Sequence, residues 1–136
     1  MNIRHKSWRR RDAGASAVEM AIILPVLALL VFAIIDFGRM LNAQTEISQA
    51  AREGVRLAAL AQSNPSYTTM IAARVSEAAP NPGFQGGAVT LVGTPITCPN
   101  VSSLATVTAG YHFTGILWRN GPGIDLTQKA VMRCGG

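Results

Sequence analysis

From Ala15 to Ile35 the chain carries one charge, Glu19, among residues that are otherwise apolar or small. As an α-helix this stretch rises about 32 Å, close to the hydrocarbon thickness of a bilayer. Pro25 interrupts it. In a soluble helix interior a proline costs about 3 kcal/mol, but membrane helices tolerate it by local readjustment, so a bend near residues 21–25 is expected rather than an end. Past residue 36 the pattern turns amphipathic. Phe37, Met40, Leu41, Ile47, Ala51, Gly54, Val55 and Ala58 recur at three- and four-residue spacing, with Gln44, Glu46, Gln49, Arg52, Glu53 and Arg56 on the other face. A single helix over 15–61, roughly 70 Å long, is predicted. Its outer half needs an apolar surface to lie against.

The remainder can supply that surface. Ser63-Asn64-Pro65 joins a capping residue to a proline at a first turn, and Tyr67, Ile71, Val75 and Ala78 form a stripe that Pro80 ends, predicting a second helix. Pro80 to Gly87 reads as a turn-rich connector. Strands are predicted over 88–93, 105–113 and 125–133. The middle one alternates Val107, Ala109, Tyr111 and Phe113 against Thr106, Thr108, Gly110 and His112, and the last places Leu126, Ala130 and Met132 on one face. Three antiparallel strands alone are marginal, so they must pack on the long helix. The fold class is therefore α+β: a long N-terminal transmembrane and amphipathic helix, a short second helix and a small three-stranded antiparallel sheet. The expected organisation is a basic leader (1–14), the transmembrane half of the helix (15–36), its extracytoplasmic half (37–62) and a small α+β domain (63–136).

Charge refines this picture. The chain has 136 residues and a net charge of +5, yet residues 1–14 hold Arg4, Lys6, Arg9, Arg10 and Arg11 against Asp12 alone, leaving only +1 for the rest. Basicity confined beside an apolar run is a topology signal, with Arg9, Arg10 and Arg11 on the cytoplasmic side and the C-terminal hundred residues outside. It is not a nucleic-acid surface, since Trp8 is the one aromatic in that tail. A cleaved secretory signal fits less well than a retained anchor, because the run is long and ends in Ile35-Asp36-Phe37-Gly38-Arg39 without a small-x-small site.

Candidate chemistry is sparse. An acid at mid-membrane costs roughly 2.5–3.5 kcal/mol. Glu19, one turn inside the run, is either an interfacial acid paired with Arg10 or Arg11, or the partner of an α-amino group made by cutting after Gly14. Asp36 and Arg39 stand i, i+3 and can meet on one helix face at the outer boundary, reading as an anchor stop. Cys98 and Cys134, the only cysteines, both lie in the outward region. In an oxidising compartment they can bond and fasten the last strand to the loop before residue 105; two free thiols are the alternative. Two cysteines with His112 fall short of a structural zinc pattern, so no metal or cofactor is expected. His112 on a strand reads as a solvated or packed histidine, no Ser–His–Asp set is singled out, and Gly86-Gly87 and Gly121-Pro122-Gly123 precede no phosphate-loop lysine, so no catalysis is expected. Trp118-Arg119 reads as a loop dipeptide that either packs at the core edge or meets a partner.

A basic leader, Gly14, a five-residue step to Glu19 and a long apolar helix resemble the start of a prepilin. Gly14-Ala15-Ser16-Ala17-Val18-Glu19, Leu24-Pro25, Asp36-Phe37-Gly38-Arg39 and Ala50-Ala51-Arg52-Glu53-Gly54-Val55-Arg56 together resemble the TadE-like family, pseudopilins of bacterial tight-adherence (Flp-type) pilus systems. Ala15 stands where many prepilins have phenylalanine, and Met20 where TadE-like proteins often have an aromatic. The resemblance implies a pilin-like fold, cutting between Gly14 and Ala15 by a prepilin peptidase, and a non-enzymatic minor or accessory role in pilus assembly. It also implies a single-pass place in the cytoplasmic membrane, with the peptidase, other pseudopilins and pilus-assembly proteins as partners beside the lipid bilayer. The alternative is a membrane-tethered extracytoplasmic binding or enzymatic module with an uncleaved signal anchor.

Overall fold

The computed structural model describes residues 9–61, 66–100, 102–117, 119, 121–134, and side chains from residue 14 onward. The order is α1 (Arg9–Leu60), α2 (Ser66–Ala78), a 3₁₀ turn at Pro82–Phe84, β1 (Thr90–Leu91), β2 (Leu104–Phe113) and β3 (Ile124–Arg133). This is the α+β arrangement expected, with the sheet antiparallel in the order β1-β2-β3. Helix α1 starts six residues earlier than expected and passes through Pro25 without a break in its assignment. The capping signal at Ser63-Asn64-Pro65 lies outside the described residues.

Two compact units divide the chain, residues 1–35 and 36–136. The outer part of α1 thus belongs with α2 and the sheet rather than standing as a separate segment. The reason is its buried stripe. Ala43, Ile47, Ala50, Ala51, Gly54, Val55 and Ala58 recur with helical period and are closed off from solvent. They meet Ile71, Val75 and Ala79 from α2 and Val107, Ala109, Phe113 and Leu126 from the sheet in one core. The stripe differs from the expected one at its start: Phe37 and Leu41 are exposed, and Ala43 and Ala50 take the core positions. Small residues there let the helix lie close to what it packs on.

β2 and β3 pair over ten consecutive residues, from Leu104 opposite Arg133 to Phe113 opposite Ile124. β1 is shorter than the predicted 88–93. Leu91 pairs with Ala109 and Ile96 bridges Thr106, so the edge segment spends two more residues than β2 between those points. Gly93 at φ 78° and Pro95, which has no N–H to give, break the ladder there. On β3, Leu126 is buried and Ala130 half-buried, but Met132 is exposed, so the expected apolar face thins out toward the strand end.

Candidate functional site

Within residues 14–35, the large apolar side chains are open to the surroundings, from Val18 to Ile35 at 43–67 % exposure. α1 is long and apolar enough to cross a membrane. Unsatisfied apolar surface on this scale calls for a non-aqueous environment, which fits single-pass anchoring. Gly14, Ala15 and Glu19 all lie inside α1 and are exposed, and apart from the local helix backbone and its chain neighbours nothing comes within 4 Å of where a Gly14 Cβ would sit. Arg9, Arg10 and Arg11 form the first turn of α1, while their side chains, and hence any pairing with Glu19, lie outside the described residues.

Asp36 and Arg39 meet as their spacing predicts, Arg39 Nη1 standing 3.6 Å from Asp36 Oδ1. The pair does more than stop an anchor. Asp36 Oδ1 accepts a 2.8 Å hydrogen bond from the Ile116 N–H, and Oδ2 one of 3.2 Å from the Leu117 N–H. Arg39 donates from Nε to the Gly83 carbonyl at 2.9 Å. Both side chains are mostly covered, at 14 % and 20 % exposure. Gly83 sits at φ 62°, and a Cβ there would come 2.9 Å from the Arg39 carbonyl, so the turn requires glycine. Gln85 completes the fastening: its side chain accepts from the Thr114 N–H at 2.9 Å and donates to the Thr114 carbonyl. One helical residue pair therefore holds two separate loops, the 80s turn and the tip of the β2–β3 hairpin.

Four apolar residues beside the bonded groups in sequence stay exposed: Phe37, Phe84, Ile116 and Leu117, at 41–73 %. Phe84 is the most open at 73 % and has φ 60°. A bulky residue held in the left-handed region costs about 1–2 kcal/mol. Arg119 is exposed and, with Arg39, Phe84, Gln85, Thr114, Gly115 and Ile116, lines a cleft of about 370 Å³. Trp118 lies outside the described residues.

Gly54 marks a close crossing in the core. A Cβ there would lie 2.6 Å from Val75 Cγ2 and 3.1 Å from Val107 Cγ1, so α1 meets α2 and β2 at this point. Across the sheet, Cys98 and Cys134 form a disulfide with Cα atoms 5.6 Å apart. His112, opposite Asp125 in the ladder, pairs with it at 2.6 Å on the exposed face. Tyr111 donates its hydroxyl to the Gly86 carbonyl at 2.8 Å. Burial pushes its phenol above the ordinary value, with Arg39 pulling it down and Glu46 adding to the rise. The sequence had marked Asp36 and Arg39 but not Gly83, Gln85, Ile116 or Leu117. The last two contribute backbone N–H groups, which no side-chain pattern announces.

The fold is α+β, with a second helix and a small antiparallel sheet packed on the outer part of α1, and α1 also carries an apolar stretch long enough to cross a membrane. Residues 14–56 match the family model described as TadE-like protein, the family that the motifs in this segment resemble. No curated protein matches the chain. No solved structure matches it either.

Proposed function

We propose that this chain is a minor pseudopilin or accessory assembly protein of a tight-adherence (Flp-type) pilus, without catalysis of its own. A prepilin peptidase cuts it between Gly14 and Ala15. Arg9, Arg10 and Arg11 keep the leader cytoplasmic, and the sheet domain faces outward. The observation that carries this reading is the coincidence of three features on one exposed stretch of helix: Gly14, Glu19 five residues on, and the uncovered apolar run, all inside the TadE-like segment. Gly14 lowers helix stability by about 1 kcal/mol relative to alanine, which favours local opening where a peptidase must reach the backbone. After the cut, the α-amino group of Ala15 is a cation near the membrane, and Glu19 one turn away in the same or a neighbouring subunit is its natural partner. Ala15, Ser16 and Ala17 let such helices approach closely.

The test is the intact mass of the protein recovered from membranes of a strain that contains the peptidase. The expected chain begins at Ala15. A leader that stays attached while pili form normally would overturn the proposal.

A further inference from the structure

The uncovered residues Phe37, Phe84, Ile116 and Leu117 come from three distant parts of the chain and are gathered by the hydrogen bonds of Asp36 and Arg39. We infer that they form a footing on which the outward domain rests in the interface of the outer lipid leaflet. This inference builds on the membrane-anchored reading and adds a second contact with lipid, separate from the anchor helix.

The occupant follows from chain continuity. Asp36 is the residue next to Ile35, the last of the apolar run. The amides of Ile116 and Leu117 lie within one hydrogen bond of the Asp36 carboxylate. The hairpin tip is thus held on Asp36, the residue that follows the hydrophobic run in the chain. Gly83, bonded to Arg39 one helical turn on, sets Phe84 beside the same point. The chemistry fits a headgroup boundary. Aromatic and aliphatic side chains that are partly exposed stand near the exposed Arg119, the combination that partitions apolar groups shallowly while a guanidinium reaches phosphate. Phe84, kept at φ 60° with its ring outward, forgoes burial in the protein at a conformational cost. Contact with lipid offsets that loss.

Depth-dependent quenching of single probes on the full-length protein tests this. Cys98 and Cys134 are bonded to each other, so a fluorophore reacts with an introduced thiol. The positions are Phe84→Cys and Ile116→Cys in the footing, Met70→Cys on exposed α2, and Leu27→Cys within the apolar run. The proteins are reconstituted in phosphatidylethanolamine–phosphatidylglycerol vesicles carrying nitroxide either near the headgroup or at mid-chain. Headgroup nitroxide should quench the Phe84 and Ile116 probes at least threefold more than the Met70 probe, and mid-chain nitroxide should quench the Leu27 probe. Footing probes as unquenched as Met70, with Leu27 quenched, overturn the footing and leave the anchor intact. An unquenched Leu27 probe overturns the anchor, and the footing with it. A blue shift at Phe84 that grows with protein concentration but ignores nitroxide assigns the patch to a second copy and overturns the lipid contact.

Discussion

The Ile116 N–H donates to Asp36 Oδ1 across 80 residues of sequence, over 2.8 Å. The carboxylate also takes the Leu117 amide and stands beside Arg39, so one acid from the helix closes the open end of a ten-residue hairpin loop. Gly115 sits between: a Cβ added there would come 2.8 Å from Asp36 Oδ2. Helix and sheet, which pack through apolar side chains elsewhere, are joined at this end by polar bonds.

Replacing that acceptor should loosen the loop without dissolving the core. Asp36→Ala leaves two amides and a guanidinium without their partner, a loss of about 1–3 kcal/mol. Asp36→Asn keeps one acceptor oxygen and should lose less. Thermal unfolding in detergent, read by circular dichroism, should place the melting temperatures in the order wild type, Asn, Ala. Equal values for all three would show that the bonds contribute nothing.

Gly54 offers a sharper steric test. Alanine is the better helix former by about 1 kcal/mol, yet its Cβ would stand 2.6 Å from Val75 Cγ2. Overpacking of this kind costs about 1–3 kcal/mol, so Gly54→Ala should lower stability despite its propensity gain. Val75→Ala in the same chain should restore part of the loss, because it removes the atom that is struck. A Gly54→Ala protein that melts above wild type would contradict the close crossing.

These two positions show how far the sequence could be read. The helical period found α1, the alternation of Val107, Ala109 and Phe113 found β2, and the Asp36–Arg39 spacing found their ion pair. Alanine carries too weak a hydropathy signal to rank above phenylalanine, so Phe37 and Leu41 were expected inside and Ala43 and Ala50 were not. What decides is the closeness of the neighbouring backbone, which a one-dimensional pattern does not contain. The brevity of β1 came from Gly93 and Pro95, both visible in advance as breakers, set against a run of β-forming residues whose pull was overestimated. The loop fastening was out of reach because its donors are main-chain groups 80 residues away.

The disulfide closes a span of 36 residues. In the chain-entropy account such a closure contributes about 3–4 kcal/mol. Ser103 accompanies it, with its hydroxyl 3.2 Å from Cys134 Sγ and its carbonyl accepting the Cys134 N–H at 3.1 Å. A Cys98→Ser, Cys134→Ser double variant should melt well below the oxidised protein and close to the wild type under reductant. A double variant as stable as the oxidised chain would remove the bridge from the account of stability.

Tyr111 makes a pH prediction. Its phenol is raised above 10 by burial first, with Arg39 opposing and Glu46 assisting. A raised acid holds its proton longer in the folded state than in the unfolded one, so its stabilisation is complete below the unfolded value and fades as pH climbs past 10. Tyr111→Phe removes this slope and also the hydrogen bond to Gly86. The variant should be less stable at neutral pH yet lose less between pH 9 and 11 than wild type. Parallel curves would exclude Tyr111 as the titrating group.

Glu19 separates an assembly protein from a tethered module. It is exposed within α1, and inside a membrane the charge of a carboxylate is costly unless a cation accompanies it. If the partner is the amine released at Ala15, Glu19→Ala removes a pairing that exists only after the cut and only matters between packed helices. The variant should therefore still reach the membrane and still lose its leader, while pilus formation, scored by electron microscopy and surface adherence, falls to the level of a deletion. Glu19→Asp, with a shorter reach to the same amine, should recover part of it. A simple tether has no use for a carboxylate there: removing it spares an insertion cost, smaller one turn inside the run than the roughly 2.5–3.5 kcal/mol of a mid-membrane acid, and should leave activity intact or improved. Normal piliation by Glu19→Ala would thus count for the tethered module, and failure with a correctly cut, membrane-inserted chain would count for assembly through the Glu19 charge.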